Sequence, residues 1–160
     1  MFLFAARKKS DDFQRYIRRL IDVTSPNRAY SSGTERLATR SNRAIPAVIC
    51  PWENHRPTIA KLVQAITKDL GDQGVGLIAS QPLEFTEAVL GFCHEEATGG
   101  EPWFFLGKQR SGLPIGGGFW LAGFELTQFM NENWSDQLKP LVPLARNLLP
   151  SLSGEPAVAG

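Results

Sequence analysis

Three regimes of hydrophobic patterning divide the 160 residues. In "SDDFQRYIRRLIDV", Phe13, Ile17, Leu20 and Ile21 recur at helical spacing, while Arg15, Arg18 and Arg19 lie mainly on the other faces. Ser10 suits an N-cap and the aspartates after it suit a helix N-terminus, so the pattern predicts one short amphipathic helix. "TSPNRAYSSGTE" then reads as a loop. From about Ala44 the pattern turns to strands. "AIPAVIC", "GVGLIAS", "AVLGFCHE", "PWFFLGKQR" and "GGFWLAGFEL" are short, rich in β-branched or aromatic residues, and separated by Gly and Pro. Such closely spaced strands predict a barrel or sandwich rather than alternating α/β units.

"PTIAKLVQAITKDL" fits two patterns. Ile59, Leu62, Val63 and Ile66 share a helical face, whereas Leu62, Ile66 and Leu70 share a strand face, and periodicity leaves both open. Near the end, Ser135 is the expected cap of a last helix that Pro140 and Pro143 interrupt, and the closing Gly/Pro/Ala run predicts fraying.

Composition narrows the function classes. Hydrophobic residues at 42% and charged residues at 21% are ordinary for a soluble globular chain, and the length suits one domain. A net charge of +1 gives no global field for a long polyanion, so single-stranded nucleic-acid binding is the least favoured reading. "MFLFAARKK" has too short an apolar core for a secretory signal, and no stretch reaches the roughly 18 apolar residues of a membrane span. A cytoplasmic protein with no membrane association is the expectation.

Cys50 and Cys93 form neither a disulfide framework nor a CxxC signature, and buried, inert thiols are expected. In "CHEE" the Cys93 and His94 side chains of a strand point to opposite faces, so no metal site is expected. His55 and His94 lack acid-base partners in any recognisable motif, and nucleophile-elbow, zincin, Walker and dinucleotide patterns are absent. Neither catalysis nor a cofactor is expected. Trp52, Trp103 and Trp120 are expected in the core or at its rim, with Trp134 stapling the last helix to the strands.

Two stretches carry candidate chemistry. "SSGTERLATRSNRAIPAVICP" places Arg36, Arg40 and Arg43 just before an apolar run, where their mutual repulsion calls for an anion or for water. A solvated basic loop is the plain reading. "DLGDQGVGLI" packs three glycines into six residues, permitting close backbone approach, while Asp69 and Asp72 accept hydrogen bonds from a ligand or from their own turn. A tight turn is the plain reading there. Guanidinium groups bind phosphate bidentately, reach guanine O6 and N7, and stack on bases, so an arginine arm over a glycine-rich turn makes a compact nucleotide clamp.

With these two elements the chain resembles the PilZ domain family, known as bacterial cyclic di-GMP receptors. The family's signatures are an RxxxR arm before the first barrel strand and a D/N-x-S-x-x-G turn about thirty residues later. "RLATR" supplies the first through Arg36 and Arg40, and "DLGDQG" supplies Asp69 and Gly74 of the second. "GGGFWLAGFEL" is similar to the family's closing strand, so the resemblance covers roughly residues 31–128. It implies a mainly β fold: a small six-stranded antiparallel barrel over 31–128, an N-terminal helix and linker over 1–30, and a C-terminal helical extension and tail over 129–160. It also implies a strand for "LVQAITKDL".

By that resemblance Arg36 and Arg40 hold phosphates or guanines, Asp69 reads a base and Gly74 lets the ring approach. Gly71 stands where the family has Ser, removing a hydroxyl worth about 0.5–1.5 kcal/mol if it bonds the ligand. Arg43 directly precedes the first strand, the position the second arginine takes in many relatives, so Arg36/Arg40 and Arg40/Arg43 both remain as the motif pair. The implied function is a non-catalytic cyclic di-GMP receptor whose arm rearranges on binding to signal to a downstream protein. The alternative is a degenerate module that binds proteins and no nucleotide.

Overall fold

The computed structural model describes residues 15–20, 44–72 and 74–149. Its strands are β1 (Pro46–Glu53), β2 (Arg56–Pro57), β3 (Val63–Leu70), β4 (Gly74–Ala79), β5 (Glu87–Phe92), β6 (Trp103–Gly116) and β7 (Phe119–Phe129). They pair antiparallel in the order β2-β1-β3-β4-β7-β6-β5, and β1 also pairs with β5. That last ladder closes the six longer strands into a barrel, the architecture expected from the sequence. The two-residue β2 folds back on β1 through Asn54 and His55, whose φ values of 54° and 60° are those of a type I′ turn.

The ambiguous segment is strand β3. Val63, Ala65 and Thr67 point into the barrel while Gln64, Ile66 and Lys68 face outward. Thr67 opposes Leu77 and Asp69 opposes Gly76, leaving Lys68 as the extra residue of a bulge. The bulge reverses the alternation, so Leu70 is buried although Ile66, four residues earlier, is exposed. The expectation that Leu62, Ile66 and Leu70 share one strand face fails for this reason. Thr67 is a buried polar residue, and its hydroxyl accepts the Ile45 N–H at 2.8 Å while its own N–H donates to the Ile45 carbonyl at 2.9 Å.

The interior includes helix α1 (residues 15–20). Ile17 and Leu20 are fully buried with Leu70, Phe92, Phe105 and Phe124 in one cluster. Tyr16 stacks on Phe129 at 3.8 Å and meets Trp103 edge-on at 4.9 Å. Arg19 donates to the carbonyls of Ala97 and Glu96, at 2.9 and 3.3 Å. Helix α1 therefore seals the barrel end that carries the β3–β4 turn. A second cluster lies outside the barrel, where Val48, Cys50, Trp52, Val89 and Phe104 meet Leu138, Leu141 and Ala145. These come from α2 (Ser135–Leu138), the 3-10 turn Lys139–Leu141 and α3 (Val142–Arg146).

Pro140 and Pro143 break the C-terminal helix as expected, each taking an early position of its element where a missing N–H costs nothing. Ser135 is the first helical residue rather than the cap; Trp134 occupies that position without a side-chain cap bond and packs edge-on against Trp52 at 5.3 Å. Among the described residues no helix is long and apolar enough to cross a membrane.

Both cysteines are buried and free. Burial pushes the Cys50 thiol up from 9.0 to about 11, against a smaller opposing hydrogen bond from the Thr58 backbone. Burial likewise raises Cys93, whose Sγ donates to the Gly100 carbonyl at 3.4 Å. The Cys50 thiol ionises more readily in the unfolded chain, so its contribution is complete below pH 9 and fades as pH rises through 11. Unfolding free energy from urea titrations is expected to drop by about 2–3 kcal/mol more over that window in the wild type than in Cys50→Ala. Parallel losses in the two proteins would refute this assignment.

Candidate functional site

The β3–β4 turn is tight: the Gly71 N–H donates to the Gly74 carbonyl at 2.8 Å. Asp72 in that turn accepts Arg18 Nη2 of α1 at 3.1 Å, which ties the turn to the helix. Asp69 lies just before it, beyond the bulge, and its Oδ1 accepts the Gly76 N–H at 3.1 Å. A Cβ added at Gly76 would sit 2.9 Å from that oxygen. The carboxylate thus lies over Gly76 on the outer barrel face, opposite to the buried side chains of Val75 and Leu77.

This face continues across the sheet without bulk. Gly76 is paired with Gly123 of β7, and Gly123 with Ser111 of β6. A Cβ at Gly123 would meet the Ser111 hydroxyl at 2.7 Å, so that hydroxyl overhangs Gly123 as the carboxylate overhangs Gly76. The result is a backbone floor of two adjacent glycines, on strands about 4.8 Å apart, with an acidic acceptor at one end and a hydroxyl at the other. One residue pair along, Glu125 faces Gly74 and Lys108 and binds Arg110 through Oε1 at 2.6–2.7 Å. Each glycine is covered by one of these oxygens, so a flat ring reaches the backbone only where the carboxylate and the hydroxyl turn aside, and both are acceptors for ring N–H groups.

Arg36, Arg40 and Arg43 lie outside the described residues. The chain is described again from Ala44, and Ile45 pairs with Thr67, two residues before Asp69. Asp69, Gly71 and Gly74 are brought together at the same barrel end as this entry point. Gly76 belongs to the glycine-rich stretch noted in the sequence, but Gly123 and Ser111 were not anticipated. The available signal was the isolated glycine within the strand pattern "LAGFEL", which marks close approach of another group.

Other candidates are absorbed by structure. His94 Nδ1 accepts the N–H groups of Glu96 and Ala97, at 3.2 and 3.0 Å, and so organises the β5–β6 loop. Phe104 and Phe105 of β6 are buried. A cleft of about 370 Å³ opens at the opposite barrel end, where Glu53 and Glu84 outnumber Lys61, a charge balance that disfavours an anionic ligand.

Among solved structures, the Bacillus subtilis inhibitor of motility (MotI/DgrA) is similar at 11% identity and a TM-score of 0.45, over 68% of this chain. The chain spans about half of that protein's length, the match covering 50% of it. No family model matches the chain, and no curated protein matches it.

Proposed function

We propose that this chain is a non-catalytic receptor for cyclic di-GMP, held on the outer barrel face between the arginine arm and the row Asp69–Gly76–Gly123–Ser111. The observation that carries this reading is the Ile45–Thr67 pair, because it fixes the foot of the arm beside the strand that bears Asp69. Covalent geometry then limits the Cα of Arg40 to about 14 Å from that of Ala44, and Arg36 to about 29 Å. Both limits reach the floor. Asp69 accepts N–H groups from the guanine edge, the two glycines let the ring lie on the strands, and the Ser111 hydroxyl replaces the one that Gly71 lacks. Arginines of the arm bind the phosphates in charge-assisted pairs, which offset the entropy of ordering the arm.

Titration calorimetry with cyclic di-GMP tests the proposal. Saturable heat is expected from the wild type and none from Arg40→Ala. A dissociation constant weaker than about 1 mM, roughly 4 kcal/mol of binding energy, removes the receptor role. Unchanged heat in Arg40→Ala removes that residue from the site. The second reading, a barrel that binds a protein and no nucleotide, is favoured by Gly71; absence of heat with an intact fold selects it.

A further inference from the structure

Next to the glycine floor, the outer face carries a row of apolar side chains in direct cross-strand register. Pro46 of β1 opposes Ile66 of β3, Ile66 opposes Ile78 of β4, Ile78 opposes Leu121 of β7, and Leu121 opposes Leu113 of β6. Residues so paired share one face of a sheet, and the neighbours of Ile66, Ile78 and Leu121 along their strands pack inward, so this row points out. It crosses five strands, about 19 Å. Ile66 is 50% exposed and Leu113 48%.

Beyond Lys108, β6 keeps only β7 as a neighbour, and β7 stays in the barrel wall, paired with β4, as far as Trp120. β5 begins at Glu87, opposite Lys108, so Ser111–Gly116 pairs within the sheet only with β7. The β6–β7 hairpin turns through Gly117 and Gly118, with φ values of 64° and 84°. It carries Ile115 and Phe119, 45% and 48% exposed, at its tip. Pro114 lies along its outer edge and has no N–H for a strand added there, so any contact uses the side-chain face.

We propose that this row is the centre of a symmetric contact between two copies of the chain. Ile66 and Leu113, with Ile115 and Phe119 at the hairpin tip, are about half exposed and Ile78 and Leu121 less so, which together leaves on the order of 400 Å² of apolar surface, at the size where such patches are functional. A standard interface takes about 800 Å² per partner, a little over half of it apolar, which this row nearly supplies. The charge pattern selects a second copy over another partner. A patch that meets its own image repels itself wherever it carries unbalanced charge, and this row carries none. At its border the charges come as opposite neighbours, Lys68 beside Asp69 and Arg110 bound to Glu125. A two-fold axis through the Ile78–Leu121 pair would bring the hairpin tip of each copy to the Pro46–Ile66 end of the other, an isologous arrangement that closes at two.

Sedimentation of the full chain, without nucleotide, from about 1 μM to 1 mM tests this. A reversible shift from the mass of one chain to that of two is expected, with a dissociation constant in the micromolar range. Ile66→Glu and Leu113→Asp should each weaken the dimer about thirtyfold or more while melting as the wild type does. Leu113 sits on the hairpin, so its variant remains readable if Ile66→Glu does not fold. A wild type that stays monomeric overturns the proposal and assigns the row to another segment or another protein. A dimer indifferent to both substitutions overturns it equally.

Discussion

Leu20→Ala is expected to destabilise the protein by about 2–5 kcal/mol, because it opens a cavity beneath a helix that belongs to the barrel core. Leu20 and Ile17 are both fully buried among strand residues, and Arg18 and Arg19 fasten the same helix to the β3–β4 turn and the β5–β6 loop. A fall in the urea midpoint with an unchanged slope is the expected signature. A loss below about 1 kcal/mol would mean that α1 is not part of the cooperative unit. The size of the effect constrains signalling. Detaching two buried aliphatic side chains costs roughly 3–6 kcal/mol, so a ligand that expels α1 must bind the open state more tightly by that amount. Small adjustment of the Arg18–Asp72 link demands far less, and it joins the proposed site to the helix directly.

Gly76→Val is expected to leave stability nearly unchanged and to weaken cyclic di-GMP binding about tenfold or more. The new Cβ falls 2.9 Å from Asp69 Oδ1, the end of a side chain rather than backbone. Losing the Asp69 bond to the Gly76 N–H costs about 0.5–1.5 kcal/mol, and replacing a strand glycine by valine returns a similar amount. The floor, however, is filled and its acceptor displaced. Calorimetry beside a thermal melt separates the two effects, and wild-type affinity in the valine variant would move the ligand off this face.

How far the sequence could be read depended on how local each signal was. Ile17 and Leu20 announced their helix because one turn of periodicity suffices, and the β1, β4, β5 and β7 runs announced strands by composition and glycine spacing. The phase of β3 was hidden because a bulge at Lys68 depends on the partner strand, which no single segment encodes. The length of β6 was hidden too, since "SGLPIG" has turn composition and becomes strand only by pairing with "FWLAG". At the site, Asp69, Gly71 and Gly74 are close in sequence and could be grouped beforehand. Gly123 and Ser111 enter through two ladders that bring residues about 35–50 positions apart into one row, a relation that only the closed sheet creates.

The ladder between β1 and β5 joins Val48–Pro51 to Ala88–Gly91, about forty residues downstream, and β4 waits for β7 across a similar interval. Contacts of such separation are reached late and place a chain among the millisecond-to-second folders. During synthesis, β1 and β4 each emerge with one hydrogen-bonding side vacant until β5 and β7 have left the ribosome, and over that interval the nascent chain is most prone to pair with a stranger.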